Sequence, residues 1–252
     1  MSATVTIAAH DVRRFVVQPW TWGLVAATLA LVAYVFLVSL DRFLELAPKL
    51  AATADATGAT DQVAIPILRV YANLLVFLVP LMTMRAIAGE RRQHSLTLLL
   101  AAGVGNGAIV AGKWLAVMAW LVALTALVAL MPLSLGAGTA LDVGRVGAAL
   151  VGIVFQAGLL AAIGVMTSAW TAQPALAAAM AIAINLFLTL VDTGARLQGV
   201  SNSAINWLAL TSHLEPPLRG IVATVDLAYF VIVGAVALAL AAQRLDTLRS
   251  AD

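Results

Sequence analysis

Cysteine is absent from the 252 residues, which excludes disulfide bridges and thiolate metal sites. Charge is nearly as scarce. Only 10% of the residues are Asp, Glu, Lys or Arg, against about 25% in a soluble domain. A water-soluble fold of this size cannot hide a chain that is 63% hydrophobic, so the sequence belongs in a bilayer. The net charge of +2 is too small, and the basic residues too dispersed, to suggest nucleic acid as a partner. His10, His94 and His213 stand far apart, and no acid–histidine spacing suggests a metal site. Ser201, Ser203 and Ser212 near His213 build no nucleophile motif. Paired carboxylates within the apolar runs, expected of many proton-coupled carriers, are missing as well. A non-catalytic membrane protein is the expectation. Residues Met1 to Gln18 lack a charged, apolar, then small-residue pattern, so no removable signal peptide is expected.

What is present is a series of long apolar runs. Spans are expected at about 20–40, 65–84, 108–131, 146–167, 174–190 and 221–241, within a single all-α transmembrane domain covering 1–252. Trp20 and Trp22 suit an interfacial belt at the first span. Arg69 can snorkel from near one end of the second, and Pro80 is expected to kink it. Between Arg145 and Asp192 lie 46 uncharged residues. As one helix they would reach roughly 69 Å, over twice the hydrocarbon thickness, so a break is required. Thr171 to Pro174 is the natural place for it. Val5, Val12, Phe15 and Val16 against His10, Asp11, Arg13 and Arg14 suit an amphipathic N-terminal helix. A short apolar stripe from Leu40 to Leu50 and a loop from Ala51 to Gln62 are expected after the first span. Short helices are expected within 192–220.

Six spans put both termini on one side. With the termini and the 85–113 segment in the cytoplasm, eight basic and four acidic residues lie inside, against six basic and eight acidic outside. Arg85, Arg91 and Arg92 lie in a short loop close to membrane ends, where such charges weigh most.

That loop holds the densest pattern. Arg85 ends an apolar run, the cluster Glu90-Arg91-Arg92 follows, and Leu96, Leu99 and Leu100 recur at helical spacing before Lys113 and a new apolar run from Trp114. The pattern describes a short amphipathic helix at a membrane surface. Gly107 to Lys113 also satisfies GxxxxGK. A phosphate-binding loop needs a preceding strand and a Ser or Thr after the lysine; here Trp114 follows and no nucleotide-binding domain surrounds it. Lys113 is expected to mark the cytoplasmic end of the third span. Asn73, Gln156 and Asn185 fall within spans, where they can line a substrate path or join helices at about 0.6–2 kcal/mol each. Ala175, Ala179 and Ala183 give small-xxx-small spacing for close packing within the subunit or across a dimer.

Thr83-Met84-Arg85, Gly89-Glu90-Arg91-Arg92, Ser95 to Leu100 and Gly112-Lys113 resemble the characteristic segment of ABC-2 type permeases, most closely the gliding-motility and nitrous-oxide-maturation branch. Arg219-Gly220-Ile221-Val222, with Asp226 and Tyr229-Phe230, gives a weaker second match. Many relatives carry a second acid where Gly89 stands. The resemblance implies a permease subunit of an ATP-binding cassette exporter in the bacterial inner membrane. A coupling helix between spans two and three would dock on a separate ATPase subunit, with Glu90, Arg91 and Arg92 as the contact. ATP and Mg²⁺ would be bound by that partner, and the permease needs no cofactor of its own. A second permease subunit, identical or related, is implied beside membrane lipid. A secondary carrier or a structural membrane scaffold without ATP coupling is the alternative; the carrier would need an internal repeat and ionisable midplane residues.

Overall fold

The computed structural model describes residues 3–50, 58–93, 104–197 and 207–250. Among these no strand occurs; the regular structure is helical. In chain order the elements are α1 (Ala3–Val17), α2 (Pro19–Leu50), α3 (Ile65–Thr83) entered through a wide turn at Thr60–Ala64, α4 (Ala88–Arg92), α5 (Asn106–Ser134), α6 (Val143–Trp170), α7 (Pro174–Leu197), α8 (Leu210–Leu218) and α9 (Thr224–Arg249). Six of them, α2, α3, α5, α6, α7 and α9, are long and apolar enough to cross a membrane.

Several boundaries differ from the sequence expectation. α2 does not stop at Leu40 but continues as one helix to Leu50, about 48 Å in all, so the Leu40–Leu50 stripe prolongs the first span. The sixth span begins at Thr224, not 221, and runs on to Arg249. Gly220 sets that start. Its φ of +89° ends α8 in a left-handed residue, with Ile221 N–H donating to Pro216 O and Gly220 N–H to Pro217 O, both at 2.9 Å. The glycine of the Arg219-Gly220 match is thus required by backbone geometry. The break between the fourth and fifth spans falls at Thr171–Gln173, where Gln173 N–H donates to Thr171 Oγ1. The leucine stripe at Leu96, Leu99 and Leu100 lies outside the described residues.

α6 is the hub, packing on α3, α5, α7, α8 and α9. Small residues make this possible. A Cβ on Gly152 would lie 2.6 Å from Pro217 of α8, and one on Gly164 would lie 2.0 Å from Thr83 Oγ1 of α3. Ala148, Ala149, Ala157, Ala161 and Ala162 are buried along the same helix. Without a hydrophobic drive between helices in lipid, such close backbone approach supplies the dispersion contact that holds them.

The polar residues inside the bundle answer a backbone problem. Pro80 lies inside α3 and has no N–H for the Val76 carbonyl one turn earlier. Asn185 of α7 is buried there, its Nδ2 donating to Val76 O at 3.4 Å. Gln156 of α6 donates to Ala72 O, one turn earlier in α3 than Val76, at 3.2 Å. Tyr71 and Thr125 share a hydrogen bond of 2.9 Å between α3 and α5. Asn73, by contrast, is on the exposed face of α3.

α1 lies along the start of α5 and buries no residue completely. Gly112 permits the approach: a Cβ there would meet Thr4 O at 2.9 Å and Ile7 at 3.0 Å. Trp22 Nε1 donates to Val16 O at 2.8 Å, fixing the corner between α1 and α2.

Candidate functional site: the charged turn at the α4 end

α1, the last turns of α9, the start of α5 and the end of α6 gather at the end of the bundle that carries α4. The chain leaves α3 after Thr83 and turns through Arg85 and Ala86 into α4. Ile87 and Ala88 are fully buried, so the donors that open α4 are withdrawn from water and need a partner. Ser168 of α6 supplies it. Its Oγ accepts from Ile87 N–H at 3.0 Å and Ala88 N–H at 2.9 Å, and donates to Met84 O at 3.2 Å. One hydroxyl therefore joins the end of α3, the start of α4 and the last turn of α6.

Lys113 makes the second anchor. It lies about two turns inside α5, with its side chain 2% exposed. Its ammonium contacts Glu90 Oε1 of α4 at 2.5 Å and Asp11 Oδ2 of α1 at 3.3 Å. These carboxylates are themselves only 15% and 13% exposed. Three elements distant in sequence are joined by one cation, which two carboxylates share where water is largely excluded.

The structure thus brings together only part of the expected contact set. Glu90 is turned inward onto Lys113. Arg91 is half-buried and Arg92 exposed, and neither has an ion-pair partner among the described residues. Gly107 to Lys113 is ordinary helix rather than a loop. Gln156 and Asn185 bind the backbone of α3, while Asn73 faces outward; none of the three lines a cavity found at the α4 end.

Sequence reasoning missed Ser168, Asp11 and the inward role of Lys113. For Lys113 the signal was present. A lysine two turns inside an apolar helix requires a carboxylate partner, and Asp11 and Glu90 are the acids that precede it on its own side of the membrane. Nothing in the sequence distinguishes Ser168 from other small polar residues of the runs.

Other anchors tie the same end. Asn106 Nδ2 donates to Asp246 Oδ1, joining the start of α5 to α9, and Arg249 Nη1 donates to Val104 O at 3.4 Å.

The opposite end carries its own charge network. Arg69 of α3 forks onto Glu215 of α8 at 2.7 and 3.1 Å, and Arg219 contacts the same carboxylate at 3.2 Å. Arg145 binds Asp61 at 2.6 Å and donates from Nε to Leu218 O at 3.1 Å. His213 sits between Asp226 Oδ1 and the Trp207 carbonyl, stacked on Tyr229 at 4.1 Å. The hydrogen bond from Arg69 is the main cause that holds the Glu215 carboxyl below the usual carboxylate range. A depressed pKa stabilises the fold above the ordinary value near 4.5 and loses that contribution as pH falls through the folded value. Melting of the purified protein should therefore drop between pH 5 and pH 3 by less in Glu215→Gln than in wild type. Equal drops would remove Glu215 from the acid response.

Fold and site together define a multi-pass helical membrane protein whose inter-span turn is wired into its core. The chain belongs to the ABC-2 family transporter proteins, whose family model matches residues 5–247. Members are typically the membrane component of ABC transporters and work with ABC ATPase partners. No curated protein matches the chain.

Proposed function

We propose that this chain is the permease subunit of an ATP-driven exporter of the gliding-motility and nitrous-oxide-maturation type, with ATP and Mg²⁺ bound on a separate subunit. Two permease copies, identical or related, complete the pathway. The α4 end and both termini face the cytoplasm of a bacterial inner membrane. α4 and the segment after it receive the ATPase. The observation that carries the coupling reading is the double anchoring of α4, to α6 through Ser168 and to α5 and α1 through Lys113. A push on a turn held this way is delivered to three elements at once, because packed interfaces shift as units and do not deform continuously.

Within this reading the three charges divide their work. Glu90 ties the turn to the spans, while Arg91 and Arg92 remain available for acidic groups of the partner. Asn185 and Gln156 hold α3, and a substrate path through them would have to displace those contacts.

The test uses the assembled complex, purified through a tag on the permease. Arg91→Ala/Arg92→Ala should insert normally but retain about tenfold less ATPase subunit, on the scale of one or two lost charge-assisted contacts. Glu90→Gln should keep the subunit bound yet lower transport-linked hydrolysis. The isolated chain should hydrolyse no ATP. Wild-type association in the double arginine variant would remove α4 from the docking face. Hydrolysis by the isolated chain that Lys113→Ala abolishes would reinstate the GxxxxGK match.

A further inference from the structure

Several arginines at the α4 end have no ion-pair partner among the described residues, and three of them share one space. Arg14 of α1, Arg85 of the turn and Arg92 of α4 converge from three elements on one cleft of about 600 Å³. Gln18, Gln93 and the start of α7 at Pro174 and Ala175 help to wall it, and no carboxylate lines it among the described residues. None of the three arginines has an ion-pair partner among the described residues. Lys113, Arg69, Arg145 and Arg219 are each paired. Two acids stand close by and both are held by Lys113: Glu90 follows Gly89 in α4, and Asp11 lines the smaller adjoining pocket that also contains Arg14 and Arg85.

Arginines that only set topology need no common destination; each can reach water by itself. Gathering three guanidinium groups around one walled space raises their mutual repulsion, which an anion in that space relieves. Guanidinium forks match the oxygens of phosphate two at a time, and the positive end of the α7 dipole adds to the same field. Gly89 keeps the space open beside Arg85, since a Cβ there would press on Arg85 Cβ at 3.2 Å. The amides of Gln18 and Gln93 offer neutral hydrogen-bonding groups without competing for the arginines.

We propose that this cleft binds the phosphate of an anionic ligand, presented either by a lipid headgroup at the membrane surface or by a soluble phosphate ester. The proposal does not rest on ATPase coupling, and its test contains no ATPase, so the two can fail separately.

The full chain is purified in a non-ionic detergent and titrated with three probes: dioctanoyl phosphatidylglycerol, dioctanoyl phosphatidylcholine and glycerol 3-phosphate. Binding is read by native mass spectrometry and by the shift in melting temperature. Phosphatidylglycerol should bind more tightly than phosphatidylcholine, and Arg14→Gln/Arg85→Gln should weaken it by about tenfold or more. Arg92 is left intact because it belongs to the proposed docking face. Arg14→Lys/Arg85→Lys keeps the charge and the insertion signal but loses the forks; an intermediate affinity is expected. Arg219→Gln, at the opposite end, should bind as wild type. Glycerol 3-phosphate binding with the same dependence on Arg14 and Arg85 supports the phosphate site and assigns it to a solute. Binding unchanged in both double variants overturns the proposal. So does equal affinity for the two lipids without binding of the ester. If no probe binds but the glutamine variant loses a co-purifying acidic protein, the cleft is a protein-docking surface and the proposal is again overturned.

Discussion

Lys113→Met is expected to destabilise the protein by about 3–5 kcal/mol, the usual cost of removing one partner from a buried ion pair. Methionine follows the shape of the lysine stem and suits an apolar helix, so the lost packing is small. What remains is electrostatic. Asp11 and Glu90 would face each other across a site from which water is largely excluded, with no cation between them. α1 should feel this most. It buries no residue completely, and its hold on α5 rests on the approach of Ile7 and Thr4 to Gly112, the edge contact of Phe15 with Trp120 and this ion pair. The measurement is twofold: melting temperature in detergent, and the rate of tryptic cleavage after Arg13 and Arg14. Melting should fall by about 5 °C or more, and cleavage should accelerate. Asp11→Asn/Glu90→Gln/Lys113→Met removes all three charges together and should recover much of the loss, since the desolvation cost vanishes with them. A single Lys113→Met variant that melts with wild type would mean that the cluster is hydrated and contributes little.

The second large effect is expected from Gly164→Ala. The added Cβ would sit 2.0 Å from Thr83 Oγ1 and 2.8 Å from Thr83 Cβ. Thr83 is fully buried, and its hydroxyl donates to Val79 O at 2.9 Å, with Pro80 O also in reach at 3.3 Å. It therefore has no easy rotamer to escape into. α3 and α6 must separate, and the cost should reach or exceed the usual 1–3 kcal/mol of overpacking, about. Thr83 immediately precedes the turn into α4, so the displacement should also reach Ser168 and the docking face. Thr83→Ala in the same chain removes the closest clash and should restore part of the stability. Gly158→Ala is the internal control. Its new methyl would meet Trp114 and Met118 at 3.6–3.7 Å, an ordinary contact, and should melt within about 1 kcal/mol of wild type. If the two alanine variants melt alike, the close α3–α6 approach at Gly164 does not govern the response.

Sequence reading reached the all-helical class, six apolar runs and the break before Pro174, because run length against bilayer thickness is a one-dimensional constraint. Pro80 was read as a kink, and the carbonyl that its missing N–H leaves at Val76 came into view only with the helix. That Asn185 answers it was not legible, because the donor comes from a helix more than a hundred residues away. Gly220 was legible only as part of a motif; its positive φ gives the reason. The charged turn was legible as a surface feature, yet the inward orientation of Glu90 depends on Lys113 and Asp11 arriving from two other helices.

Hydropathy could not show which spans form the interior. α2 is the most hydropathic span and the least enclosed, with 17% of its window buried; the α3 span is the least hydropathic, and 67% of its window is buried, as in α6. In water, apolar content and burial rise together because exposure is penalised. In a bilayer a leucine facing lipid is as satisfied as one facing another helix. Close approach at Gly152 and Gly164, and backbone and side-chain groups that lipid cannot hydrogen-bond, then select the centre of the bundle. Chain order and composition determined what crosses the membrane, and only the packing of α3 against α6 decided what lies inside.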